Sequence, residues 1–208
     1  MQVLTISGTC SEVGKTTLLC DLLARLPGWA AVKVTRGHYR SCGRDPETCC
    51  VSHLLGEEPR VFAERAETDV PGKDTGRYWA AGAAAVRWVV GARGQETLGL
   101  RRALADLAPF AGVLVEGNRI VETCRPALAI LVVHPNQKEI KSSARRILSR
   151  VDALYVPDLD PAADAELDLR RAVVDDPAVL TGAAPGSRRW PVWGPSDLDR
   201  IAAPFRGR

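Results

Sequence analysis

No apolar run in this chain is long enough to cross a bilayer, and its N-terminus lacks the charged and then apolar segments of an export signal. Met1-Gln-Val-Leu-Thr-Ile6 has instead the pattern of a short buried strand. Excess charge of one sign is also missing: the net charge is +3 over 208 residues, too little to imply a nucleic-acid or membrane surface as partner. No internal repeat is visible. These absences lead us to expect a cytoplasmic protein with neither nucleic acid nor membrane among its partners. In that compartment the six cysteines are expected as thiols or metal ligands rather than disulfides. A composition of 46% apolar and 25% charged residues fits an ordinary globular protein, and the length suits one α/β domain with a full core.

What is present is concentrated near the start. The stretch Gly8-Thr9-Cys10-Ser11-Glu12-Val13-Gly14-Lys15-Thr16-Thr17 follows the first strand. Residues 16–26 then read as a helix with Leu18, Leu19, Leu22, Leu23 and Leu26 inward. Strand, glycine-rich loop ending in Gly-Lys-Thr, then helix is the order that a Walker A phosphate loop requires. Glycines let successive N–H groups turn toward a phosphate, and the helix N-terminus adds partial positive charge. Lys15 is expected on the β- and γ-phosphates and Thr16 on Mg²⁺. The standard motif has four residues between its first Gly and Gly-Lys, whereas Gly8 and Gly14 bracket five.

Strand and helix patterns alternate along the chain. Strands are expected at 30–35, 61–65, 88–92, 112–116, 128–133 and 153–156, and helices at 78–86, 97–107 and 140–151. The 140–151 helix should turn Ile140, Ala144, Ile147, Leu148 and Val151 inward. This order predicts an α/β fold, a mostly parallel sheet with helices on both faces, in three α/β/α layers. Ligands in such folds sit at the carboxyl ends of the strands. A nucleotide-binding domain is expected over 1–160, with a Cys-rich insertion at about 36–60. Residues 161–208 are expected as a helix (162–174) and an irregular extension packed on the same domain.

Three residues outside the loop carry potential chemistry. Glu116 ends the apolar run Val113-Leu-Val-Glu, where a carboxylate can reach the Mg²⁺ held by Thr16 or simply pair with a Lys or Arg. Lys33 interrupts the apolar strand Ala31-Val-Lys-Val-Thr35 and suits either phosphates or an anionic substrate, or a snorkelling strand edge. In Pro71-Gly-Lys-Asp-Thr75, Asp74 or Thr75 suits a helix N-cap.

The Pro-Gly-Lys-Asp-Thr-x-Arg run, the following Ala81-Gly-Ala83 and the Val-Glu-Gly strand end resemble the MobB family, small P-loop adaptors of molybdenum-cofactor guanylation. The long phosphate loop resembles that of dethiobiotin synthetases. The MobB resemblance covers about residues 1–156 and implies that Lys15, Thr16, Lys33, Asp74 and Glu116 surround nucleotide and Mg²⁺. It also implies a homodimer and a cofactor-biosynthesis protein as partner. Val34-Thr-Arg-Gly-His-Tyr39 departs from the family's His-rich turn.

His38, Cys42, Cys49, Cys50 and His53 fall within 16 positions. They could supply ligands to Zn²⁺ or thiolates to an Fe–S cluster, or be incidental loop residues; the spacing fits no standard pattern. Cys10, in the phosphate loop near a helix N-terminus, is a candidate reactive thiol. Cys20 reads as a small core residue, and the Cys124 loop could return to the same sheet edge. Lys141, Arg145, Arg146 and Arg150 form a basic face of the solvated kind. His134 suits a base contact or a cap. Asn136 and Asp158 stand where base-reading groups lie in related GTPases, but without an Asn-Lys-x-Asp motif ATP and GTP are not distinguished.

The leading expectation is a slow Mg²⁺-dependent P-loop NTPase, hydrolysing ATP or GTP, of the cofactor-assembly branch. The alternatives are a dethiobiotin-synthetase-like ligase or kinase that phosphorylates a small acid, and a nucleotide-binding adaptor without turnover.

Overall fold

The computed structural model describes residues 1–37, 51–134, 140–158 and 190–207. Its centre is an eight-stranded sheet: β1 (Gln2–Gly8), β2 (Ala30–Arg36), β3 (Arg60–Phe62), β4 (Val86–Gly91), β5 (Gly112–Glu116), β6 (Leu128–Val132), β7 (Ala153–Tyr155) and β8 (Val192–Trp193). The spatial order is β3-β4-β2-β5-β1-β6-β7-β8, with every pairing parallel except β3 against β4. The apolar continuity of β5 and β6, and the burial of β1 from Leu4 to Gly8 with Thr5 and Ser7 included, follow from this arrangement, since central parallel strands are covered on both faces.

Alternation along the strands sorts the core into layers. Leu4 and Ile6 of β1, Leu114 of β5, and Ile130 and Val132 of β6 meet the helix α1 (Lys15–Leu23) through Leu18, Leu19, Leu22 and Leu23. Those four leucines are almost wholly buried, each worth about 1.5–3 kcal/mol of burial. Packing therefore holds this nine-residue helix, which would be marginal alone. The opposite face of the sheet has two clusters. Val32, Val89, Val113 and Val115 pack on α4 (Glu96–Asp106), while Ala129, Leu131 and Leu154 pack on Ala144, Ile147 and Leu148.

The shorter helices are α2 (Arg65–Thr68), α3 (Asp74–Ala80), α5 (Ile120–Thr123), α6 (Ser142–Arg145) and α7 (Leu198–Ala202). The last of these joins the α1 layer: Leu198, Ile201 and Phe205 bury there, and the Phe205 ring meets Trp29 edge-on, with centroids 6.0 Å apart. No described helix is long and apolar enough to cross a membrane.

Several boundaries differ from the sequence reading. The helix expected at 78–86 is α3, which starts at Asp74 and stops at Ala80. Gly82 takes φ 92°, its N–H bonds the Trp79 carbonyl and the Ala83 N–H bonds that of Tyr78, a paired C-terminal cap. Val86 is thereby released to open β4. Residues 61–65 do not form one strand: Val61 and Phe62 pair antiparallel with β4, and Arg65 begins α2. The continuous helix expected at 140–151 is α6 and a separate 3-10 turn, Leu148–Arg150. Its inward set is nonetheless as expected, with Ile140, Ala144, Ile147, Leu148 and Val151 all buried. The helix expected at 162–174 lies outside the described residues.

Candidate functional site

The sheet register assembles the site. Glu116 stands opposite Ile6 of β1 on one side and opposite Lys33 of β2 on the other. Alternation turns Lys33 and Glu116 to the α1 face, together with Ala31 and Leu114. Beyond Gly8 the chain leaves β1 in a loop that runs to Gly14. The Thr9 N–H donates to the Val132 carbonyl, and the Thr9 carbonyl accepts from the Lys141 N–H. The Asn118 side chain grips Gly8 at both ends, accepting its N–H and donating to its carbonyl, each at 2.9 Å, and also reaches Ser143 Oγ. Val13 is buried in the α1-side core, while Ser11, Glu12 and Thr17 stay exposed. Glu12 has φ 59°, unusual for a side-chain-bearing residue. Gly14 caps α1 at φ 96°, and a Cβ there would lie 2.9 Å from Pro157 Cγ.

Lys15 folds back, its Nζ donating to the Cys10 carbonyl at 3.0 Å. Burial lowers its pKa below the usual 10.5; Glu116 opposes this, and Lys33 and Lys141 reinforce it. The neighbouring Thr16 hydroxyl lies 2.9 Å from Glu116 Oε2 and 3.1 Å from Asp74 Oδ1. Lys33 Nζ joins the same two carboxylates, 2.5 Å from Glu116 Oε1 and 2.6 Å from Asp74 Oδ2. Burial would depress the Lys33 pKa, but Glu116 and Asp74 outweigh it and raise it. Asp74 shows the converse: burial would raise its pKa, yet Lys33 and Thr16 hold it below the usual 3.8. The structure thus brings Lys15, Thr16, Lys33, Asp74 and Glu116 into one cluster, although they come from α1, β2, α3 and β5. With Ser11, Glu12, Gly14, Thr17 and Arg77 they line a bay of about 540 Å³.

Asp74 is not an N-cap. Lys73 holds that position, no side chain caps the helix, and the Asp74 carboxylate turns to Thr16 and Lys33. Tyr78 and Arg77, which carry no expected role, and Lys141, expected on a solvated basic face, are also here. Tyr78 donates its hydroxyl to Glu116 Oε2 at 2.5 Å and is completely buried. Arg77 donates to Thr17 Oγ1 at 3.1 Å, and Lys141 Nζ to Ser11 Oγ at 2.7 Å. One signal was available for Tyr78: it follows Asp74 by four helical positions and so shares its face.

The cysteines divide. Cys20 packs at the edge of the α1 core, where burial pushes its pKa up to about 11. Cys124 packs against the α4 layer, donates to the Ile120 carbonyl, and is also pushed up by burial. It lines a shallow cavity with Arg125 and Arg150, not the bay around Lys15. Cys10 is half-buried in the loop as a free thiol. His38, Cys42, Cys49, Cys50 and Asn136 lie outside the described residues. Among the described residues, no three or more His, Cys, Asp and Glu side chains gather as a metal-ligating group. His134 Nε2 lies 3.9 Å from Asp158 Oδ2.

No protein-family model matches the chain, and no curated protein matches it. A loop, the N-terminus of a nine-residue helix and a half-buried lysine lie side by side here, groups whose chemistry suits an anion. The adjoining carboxylates and hydroxyl are hard oxygen donors suited to a divalent cation.

Proposed function

We propose that this protein binds a nucleoside triphosphate with Mg²⁺ and hydrolyses it slowly, as a P-loop NTPase of the cofactor-assembly branch that MobB represents. The observation that carries the reading is the convergence on Thr16. The residue after the loop lysine meets two carboxylates and, through them, a strand lysine, at the carboxyl edge of the two central strands β1 and β5.

In this reading the N–H groups of residues 10–16 and the α1 N-terminus hold the phosphates, the Gly8 and Thr9 N–H groups being engaged by Asn118 and Val132, and Lys15 exchanges the Cys10 carbonyl for β- and γ-phosphate oxygens. That exchange favours binding, because a buried ammonium gains full anionic partners where it had one carbonyl. The oxygens of Thr16, Glu116 and Asp74 fit Mg²⁺, held by Thr16 with the carboxylates engaged directly or through water. Bound there, Mg²⁺ would supply charge neutralisation to the β- and γ-phosphate oxygens while a water attacks the γ-phosphorus and the bond to the β-phosphate oxygen breaks. Lys33 keeps the two carboxylates from repelling each other and adds positive charge on the γ-phosphate side. Tyr78 and Asn118 position Glu116 and the loop.

Release of phosphate from ATP and from GTP, with Mg²⁺ and with chelator, tests this. The reading expects release that needs Mg²⁺ and falls at least tenfold in Glu116→Gln with the fold retained. Release indifferent to both Mg²⁺ and Glu116→Gln would overturn it.

A further inference from the structure

Beside the bay lies a second cavity of about 450 Å³, which shares Ser11, Lys15, Lys33 and Glu116 with it. Because Lys15 serves the terminal phosphates in the nucleotide reading, this cavity begins where a bound triphosphate would end. Its outer wall has a different character. Val34, Leu100 and Ile120 make it apolar, and Arg36, Arg119 and Lys141 bring cations to it. Five cationic side chains in all face two carboxylates, Glu96 and Glu116.

Those two carboxylates do not satisfy the arginines. Glu116 is engaged by Lys33, Thr16 and Tyr78. Glu96 gives one oxygen to the Gly94 N–H at 2.6 Å. Its other oxygen lies 3.4 Å from Arg36 Nε and 3.8 Å from Arg119 Nη1. Neither contact has hydrogen-bond geometry: Arg36 Nε and Glu96 Oε1 are both buried without a hydrogen-bond partner. Arg119 has a second, peripheral partner in Glu122. The Arg36 and Arg119 side chains nonetheless keep 27% and 34% of their surface exposed, so a carboxylate or phosphate can reach the guanidinium edges as the planar, multi-oxygen acceptor that Glu96 does not supply. The volume falls in the range of small-molecule sites.

We propose that this cavity binds a second small molecule, with an anionic head, a carboxylate or a phosphate monoester, on Arg36 and Arg119, and a short apolar body against Val34. Its role as the ligand next to a γ-phosphate rests on the nucleotide reading; the anion contacts belong to this cavity alone. The half-buried Val34 sets the class apart from a free inorganic anion, which would leave that side chain facing water.

The test titrates the full chain with hexanoate, hexyl phosphate and hexan-1-ol by ligand-observed NMR, with and without a non-hydrolysable ATP or GTP analogue and Mg²⁺. At least one of the two anions should bind tenfold or more tightly than the alcohol, and the tighter head names the source. Arg36→Gln and Arg119→Gln should each weaken that binding at least tenfold, with thermal midpoint and analogue affinity unchanged. Two separate variants keep the result readable if one does not fold. Anions that bind no better than hexan-1-ol, folded variants that bind them like wild type, or displacement of the anion by the analogue would each overturn the proposal. Failure of the nucleotide reading shows separately, as absent analogue binding while the arginine-dependent anion binding persists.

Discussion

Tyr78 Oη lies 2.5 Å from Glu116 Oε2, and both side chains are sealed from solvent. Burial, and then the Glu116 charge, hold the phenol pKa well above its usual 10.0, so the hydroxyl remains a donor across the neutral range. The carboxylate therefore receives three donors, Tyr78, Thr16 and Lys33, from three different elements. Removing the phenol oxygen in Tyr78→Phe keeps the ring in the core but leaves Glu116 with one donor fewer. A hydrogen bond to a buried charge is worth about 1.5–3 kcal/mol, so the thermal midpoint should fall by about 5 °C. Differential scanning calorimetry decides it, and an unchanged midpoint would mean that the contact contributes nothing.

The Lys33 cluster predicts a particular pH dependence. Asp74 is held below its usual 3.8, so the stability it contributes is present above that value and is lost as pH falls through its lowered pKa. Lys33 is raised above 10.5, so its contribution is complete below that value and is lost as pH rises through its raised pKa. The stability gap between wild type and Lys33→Met should therefore be constant from about pH 5 to 9 and shrink on both sides. At neutral pH the gap should be about 2–4 kcal/mol, the scale for breaking a largely buried pair. Urea denaturation at a series of pH values measures it; a gap equally wide near pH 3, neutrality and pH 11 would refute the coupling.

Gly76 lies inside α3, where exchange for Ala ordinarily favours a helix by about 1 kcal/mol. Here the sign should reverse. A Cβ would lie 2.2 Å from the Val70 carbonyl oxygen, a backbone atom that cannot swing aside. Overpacking of this kind costs about 1–3 kcal/mol and would push α3 away from the Val70 backbone, carrying Asp74 and Tyr78 with it. Gly76→Ala should lower both the unfolding midpoint in urea and the affinity for Mg²⁺-nucleotide. A midpoint at or above wild type would contradict the placement of α3 against Val70.

How much of this was legible in the sequence depends on which residues carry the signal. The strands at 2–8, 30–36, 112–116 and 128–132 are short, mostly apolar, β-branched-rich runs, and their length and composition rather than any period mark them as strands. The inward faces of 16–26 and 140–151 were equally plain, because burial repeats where hydrophobes repeat, although the first helix runs from Lys15 only to Leu23. Helix continuity was not. At 140–151 the chain is tied by its backbone to Thr9 and through Ser143 to Asn118, and it breaks into two turns around those contacts. The end of the helix at Ala80 depends on Gly82 taking a left-handed conformation inside an Ala-rich stretch that reads as helix.

For the site, Lys15, Thr16, Lys33, Asp74 and Glu116 were each visible at a strand end, a loop or a helix start. Their convergence requires the β2–β5 register, which no local pattern encodes. Arg36, Glu96 and Arg119 carried no motif at all. They become neighbours only because the ends of β2 and α4 and the turn after β5 meet beside one cavity.

The most direct test of the account is calorimetric titration of Mg²⁺-ATP and Mg²⁺-GTP into wild type and Lys15→Ala. Among the described residues the Lys15 side chain donates to the Cys10 carbonyl, so truncating it should leave the fold intact while removing the charge that reaches the phosphates. Stoichiometric binding of at least one nucleotide to wild type, abolished in a folded Lys15→Ala, is the predicted result. Equal affinity of the two proteins for both nucleotides, or no binding of either to wild type, would contradict it.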